Sequence, residues 1–293
     1  MATKTGKILK GVGGFYYVET SDGIFECRAR GKFRKEDLTP YVGDNVVISV
    51  EDSGLGYVCE IFERKNSFIR PPVANIDKLV VVVALKDPVP DTLFIDKMLV
   101  IAECADVKPA LCFNKSDLCD DELELCGLYK NAGYDVFITS TKNETGIDEL
   151  EKFIQNSVTA VCGFSGVGKS SIMNILTDSK DFEVGEISSK LSRGKHTTRH
   201  VELIKLNSDT FLADTPGFSS LSLPDSITGE NLINYFPELN AYTDNCKFAD
   251  CRHISDKFCS VYDAVVKEKI SSSRYNNYRI LYDMIKDNKE WKK

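Results

Sequence analysis

The chain has 293 residues, of which 42% are hydrophobic, and a formal net charge of -7. That bounds it to about two or three globular domains with adequate cores. No run of about 18 apolar residues could span a bilayer, and Met1-Ala2-Thr3-Lys4 leads into strand-like sequence with no apolar signal core. A cytoplasmic monomer with no membrane partner is therefore expected.

Residues 1 to 69 alternate in short β-type runs: Lys7 to Lys10, Phe15 to Glu19, Ile24 to Ala29, Asn45 to Val50 and Gly56 to Ile61. Turn residues such as Gly13-Gly14 and Ser21-Asp22-Gly23 separate them, which predicts a small barrel of OB type. Arg28, Arg30, Lys32, Arg34 and Lys35, with Phe33 among them, concentrate positive charge between the third and fourth strands. Such a loop suits RNA, and a solubilising loop would carry the same charge.

Arg70-Pro71-Pro72 breaks the chain, and residues 70 to 222 follow a different plan. Asp77 to Leu85 is the continuous β-branched run of a strand buried on both faces. Helical patterns at Phe94 to Ala102, Glu122 to Asn131 and Ile147 to Phe153 alternate with strands at Pro109 to Phe113, Asp135 to Ile138 and Ser157 to Cys162. That alternation predicts a parallel, doubly wound α/β sheet.

Gly163-Phe164-Ser165-Gly166-Val167-Gly168-Lys169-Ser170 fits G-x-x-x-x-G-K-[ST] between a strand and a helix. Its glycines allow backbone turns closed to bulky residues, so N–H groups from Gly163 to Ser171 can face phosphate oxygens. Lys169 is placed to reach the β- and γ-phosphates, and Ser170 to hold Mg²⁺. Earlier in the chain, Asn114-Lys115-Ser116-Asp117 ends the second strand of this domain. A carboxylate at Asp117 accepts from both N1–H and the 2-amino group of guanine, a donor pair that adenine lacks. Asn114 is placed to bond the base edge and hold neighbouring loops, and the Lys115 stem to lie over the ring. Thr139-Ser140-Thr141-Lys142, after the next strand, is similar to the S-A-K loop whose backbone reads guanine O6. GTP is favoured over ATP.

Asp214-Thr215-Pro216-Gly217 supplies a further Mg²⁺ carboxylate in Asp214 and a γ-phosphate contact in the Gly217 N–H. The segment Ser192 to His200 has no periodicity and reads as a switch, with Thr197 or Thr198 as its Mg²⁺ ligand. Ras-like GTPases place the phosphate loop first; here N-K-S-D and S-T-K precede it. The domain is circularly permuted, which a sheet with neighbouring termini tolerates.

In residues 223 to 293, Cys246, Cys251, His253 and Cys259 form C-x4-C-x-H-x5-C, the donor set of one structural Zn²⁺ ion. Helical patterns at Val261 to Ile270 and Tyr275 to Ile285 carry Lys267, Lys269, Arg274, Arg279, Lys286 and Lys289, read as a basic surface. The other cysteines read as buried thiols.

These motifs, in this order and with this cysteine spacing, resemble the RsgA family of small-subunit-dependent GTPases over essentially the whole chain. The resemblance implies an OB-fold, a permuted GTPase and a helical zinc-binding domain that bind the 30S ribosomal subunit and its rRNA late in maturation, with GTP hydrolysed to GDP under stimulation by that subunit. It also implies a catalytic role for His196, because Phe218 stands where Ras-like enzymes carry a water-orienting glutamine. An exposed polar loop histidine would look the same. Two other functions fit these residues: a nucleotide-switched RNA-binding scaffold, and a GTPase acting on another RNA.

Overall fold

A computed structural model describes residues 2–31, 33, 38–51, 54–119, 123–178, 201–215, 217–254 and 257–290. Five strands form the N-terminal unit: β1 (Ala2–Val12), β2 (Phe15–Thr20), β3 (Gly23–Ala29), β4 (Asn45–Val50) and β5 (Gly56–Ile61). The pairing runs β1-β2-β3-β5-β4 and closes when β4 pairs back with β1. Closure needs a long first strand, and β1 supplies it: residues 2–7 pair with β4 and residues 7–12 with β2. At the crossing stands Gly6, where a Cβ would lie 2.2 Å from the Glu19 carbonyl oxygen. Ile8, Val18, Val46, Ile48 and Val58 fill the barrel.

The expected break at Arg70-Pro71-Pro72 is instead an ordered hairpin of β6 (Ser67–Ile69) and β7 (Pro72–Ala74). Two asparagine side chains satisfy the backbone around it. Asn66 donates to Ile76 O at 2.8 Å and accepts from Ile76 N at 2.9 Å. Asn75 donates to Gly43 O at 3.0 Å, which ties the hairpin to the barrel.

The second sheet comprises β8 (Lys78–Ala84), β9 (Lys108–Asn114), β10 (Asp135–Ile138), β11 (Val158–Cys162), β12 (Glu202–Lys205) and β13 (Phe211–Asp214), in the order β10-β9-β8-β11-β13-β12. It is parallel except at one edge, where β12 runs antiparallel to β13. This departs from the wholly parallel expectation, because Asn207 to Thr210 turn the chain back locally as a hairpin rather than through a helix. The free side of β12 meets the barrel: Lys10 on β1 pairs with Glu202, their side chains bonded at 2.7 Å. Both faces of the sheet are covered. Alternate residues of β8 pack on one side with α1 (Thr92–Cys104) and α2 (Leu123–Asn131), and on the other with α3 (Ile147–Ile154) and α4 (Lys169–Thr177). Asp91 caps α1 by accepting from Phe94 N at 3.0 Å.

The C-terminal unit holds α5 (Pro237–Asn240), α6 (Ser260–Val266) and α7 (Ser272–Glu290) around Leu232, Phe236, Val261, Tyr278 and Leu281. Arg274 does not join the basic surface expected of it; it is 1% exposed. Its guanidinium reaches Asp96 on α1 at 2.6 Å and both oxygens of Glu238 at 2.6 and 3.0 Å. Burial pushes the Asp96 carboxyl up. However, Arg274, Asn277 and Tyr129 all donate to it, at 2.6, 2.7 and 2.8 Å. Only a carboxylate accepts from all three without an orphaned proton of its own. Among the described residues no helix is long and apolar enough to cross a membrane.

Candidate nucleotide-binding site

The carboxyl ends of β8, β9, β10, β11 and β13 lie side by side, and the motif loops leave from them. After β11 the chain enters the loop from Gly163 to Ser170, which opens directly into α4. Gly163 has φ 147°, and a Cβ there would stand 2.2 Å from Val82 O. Gly168 has φ 96°, and its Cβ would meet Asn114 Nδ2 at 2.2 Å. Only glycine fits either position. Val167 is buried, Ser165 and Gly166 are exposed, and Ser170 and Ser171 sit in the first turn of α4. Lys169 Nζ donates to Gly163 O at 2.8 Å and Phe164 O at 2.6 Å. The Phe164 ring stacks on Phe94 of α1, centroids 4.2 Å apart.

Asn114 braces two loops. Its Nδ2 donates to Val167 O at 2.9 Å, and its Oδ1 accepts from Thr141 N at 3.3 Å and from Thr139 Oγ1 at 3.2 Å. It is fully buried with those bonds made, and its Nδ2 keeps a second N–H beyond the one given to Val167 O. Lys115 has φ 63°, and its ammonium donates to Asp87 O. One oxygen of Asp117 accepts from Ser140 Oγ at 2.6 Å, and Lys142 Nζ lies 3.8 Å from the other. That leaves Asp117 an oriented acceptor at the site's rim.

Asp214 ends β13, and Gly217 follows at φ 101° with open space around it. Burial pushes the Asp214 carboxyl up, and the neighbouring Lys169 charge opposes that. Burial lowers Lys169 itself. Phe218 is fully buried, its ring 5.0 Å from Phe68 of the β6–β7 hairpin, so this position is a packing anchor. His196, Thr197 and Thr198 lie outside the described residues. Motif reading missed Ser219, whose hydroxyl donates to Gly163 O at 2.7 Å, because a serine beyond D-T-P-G carries no pattern.

In the C-terminal unit the donor atoms of Cys246, Cys251, His253 and Cys259 all lie within 4.8 Å of one another. His253 Nδ1 is 3.4 Å from Cys246 Sγ and 3.7 Å from Cys259 Sγ. Tetrahedral bonds to sulfur and nitrogen separate ligand atoms by about 3.5–3.8 Å, so the set fits one metal ion. On the barrel, Arg28 and Arg30 are exposed; Arg28 stacks over Phe15 at 4.6 Å, and Arg30 donates to Ser49 Oγ at 3.1 Å. Lys32, Arg34 and Lys35 lie outside the described residues. Phe33 is 3% exposed in the barrel core, so its ring is not offered to a base.

A sheet whose N-K-S-D and S-T-K loops precede its G-x-x-x-x-G-K-S loop in the chain, joined to a closed five-stranded barrel and a helical unit able to hold a metal, defines a circularly permuted P-loop GTPase of three parts. The comparisons agree: the family description RsgA GTPase matches residues 61–224 and RsgA N-terminal domain matches residues 5–58. The chain belongs to the RsgA family. It is 44% identical over 289 residues to the small ribosomal subunit biogenesis GTPase RsgA of Bacillus cereus (strain ATCC 14579), covering 97% of this chain and 98% of that protein. The protein of the same name from Alkaliphilus metalliredigens is 42% identical over 98% of this chain and 99% of its own length. Among solved structures, YloQ, a circularly permuted GTPase, superposes with TM-score 0.81 at 37% identity, covering 98% of this chain and 96% of its own. YjeQ from Thermotoga maritima does so with TM-score 0.78 at 33% identity, over 96% and 98%.

Proposed function

We propose that this GTPase acts on the small ribosomal subunit during its late maturation, as a cytoplasmic monomer whose hydrolysis of GTP to GDP is stimulated by that subunit. The convergence of Asp117–Ser140 and the Gly163–Ser170 loop at one end of the sheet carries the nucleotide half of this reading. Asp117 accepts from guanine, the backbone of the 140–142 loop reads O6, and the Lys115 stem covers the ring. Backbone N–H groups from Gly163 to Ser171 and the Lys169 ammonium take the phosphates, with Gly217 at the third. Ser170, Asp214 and Thr197 or Thr198 hold magnesium, which neutralises phosphate charge. His196 orients the attacking water, since a buried phenyl ring at 218 cannot. The names of the curated relatives supply the ribosomal half.

Zinc is the proposed occupant of the cysteine–histidine cluster, since three thiolates and an imidazole gathered within 4.8 Å of one another would fill all four tetrahedral positions and leave none open for catalysis. Arg28, Arg30, Lys32, Arg34 and Lys35 are proposed to face rRNA. The test is GTP turnover at fixed enzyme against rising 30S subunits, with 50S subunits and free RNA as controls. Large stimulation by 30S alone is expected; a rate indifferent to all three would make this a nucleotide-switched RNA scaffold, and equal stimulation by free RNA would move its substrate away from the subunit.

A further inference from the structure

Ser219 lies beyond the D-T-P-G motif, yet it bonds to the phosphate loop. Its hydroxyl donates to Gly163 O at 2.7 Å, and Lys169 Nζ donates to the same oxygen at 2.8 Å. The two donors fill both lone pairs of that carbonyl. The acceptor is held in place, because Gly163 packs its backbone against Val82 O with no room for a side chain. The donor is held as well. Residues 218–220 form one turn of 3-10 helix, Ser220 Oγ and Ser220 N both bond Gly217 O, and the Phe218 ring is locked against Phe68. Among the described residues of this turn, Ser219 alone hydrogen-bonds a residue of the Gly163–Ser170 loop.

We propose that Ser219 is a positioning residue, whose hydroxyl latches the second switch to the first glycine of the phosphate loop and so sets the reach from Gly217 N–H to a γ-phosphate. This rests on the reading of Gly163–Ser170 as the phosphate loop and of Gly217 as the γ-phosphate contact. A nucleoside diphosphate engages the loop, whereas only a triphosphate extends to Gly217. Losing the latch therefore weakens triphosphate binding and spares diphosphate binding. Phe218 stays packed without the hydroxyl, so Ser219→Ala retains the fold, which a thermal melt verifies.

The experiment is fluorescence titration of the full chain, with Mg²⁺ present, by labelled GDP and by a labelled non-hydrolysable GTP analogue. Ser219→Ala is expected to bind the analogue about three- to tenfold more weakly, the range of one neutral hydrogen bond, with GDP changed by less than about twofold. Ser219→Thr keeps the hydroxyl and is expected to restore the wild-type ratio. Equal weakening of both nucleotides, no change in either, or a threonine that behaves like alanine overturns the latch. Lys169→Ala, measured alongside, separates the two failures. Wild-type binding by that variant would sink the phosphate-loop reading, whereas lost binding there with an unaffected Ser219→Ala would remove the latch alone.

Discussion

Asp117 accepts from Ser140, so one of its oxygens is already committed and the whole carboxylate is turned. Guanine offers two donors to it, and an amide in its place meets one of them with a donor of its own. Asp117→Asn should therefore lose about 1–3 kcal/mol of GTP affinity, the cost of an unmatched polar group. It should gain affinity for xanthosine triphosphate, whose 2-oxo group accepts where guanine donates, and competition binding with the two nucleotides checks both. The neighbouring ionisable pair sets a pH window. Burial raises Asp214 above its ordinary 3.8, so the charge proposed to hold magnesium is lost on acidification earlier than for a free carboxylate. Burial lowers Lys169 below 10.5, so the charge proposed to hold phosphate is lost earlier on the alkaline side. A kcat/KM profile of the free enzyme should be a bell narrower than those two limits. These residues were legible because each motif is a local run of fixed types. Ser219 was not, since its meaning lies in a carbonyl 56 positions away.

Elements fail or hold through their contacts, and α7 is held by one buried cation. Arg274→Met leaves Asp96 of α1 charged and buried, which costs about 3–5 kcal/mol when one partner of such a pair is removed. Denaturant unfolding should show that loss, and Asp96→Leu combined with Arg274→Met should recover much of it. The cysteine cluster joins loops whose two phenylalanines, Phe248 and Phe258, lie exposed and outside the core. A strong chelator should therefore speed amide exchange in 246–259 and α6 while leaving the barrel unchanged, and metal analysis should return one ion per chain. Most helices and parallel strands were readable from periodicity. The β6–β7 hairpin and β12 were not: the hairpin's strands are three residues each, too short for alternation to register, and Glu202–Lys205 of β12 is charged at both ends. Arg274 was misplaced for a different reason: the acids that pull it inward come from α1 and α5, which no helical period reveals.

At the scale of the whole molecule, permutation decides what the switches are joined to. The chain that leaves Gly217 runs through Phe218 into the C-terminal unit, while β12, which follows the candidate first switch, abuts the barrel through Lys10 and Glu202. The permuted order was plain in the sequence, but this edge contact was not, since its partners lie 192 residues apart. Deleting the barrel should uncover β12, whose unpaired backbone groups would then seek another chain. Sedimentation should show more self-association of the truncated protein than of the full chain at the same concentration.

The same seam bears on how the protein is made. The barrel closes through local pairings among its own residues, so it can fold as soon as it emerges during synthesis. Glu202 is translated 192 residues after Lys10. The nascent β12 thus meets a finished neighbour as it forms, and the edge of the nucleotide sheet is paired at Glu202 from the outset.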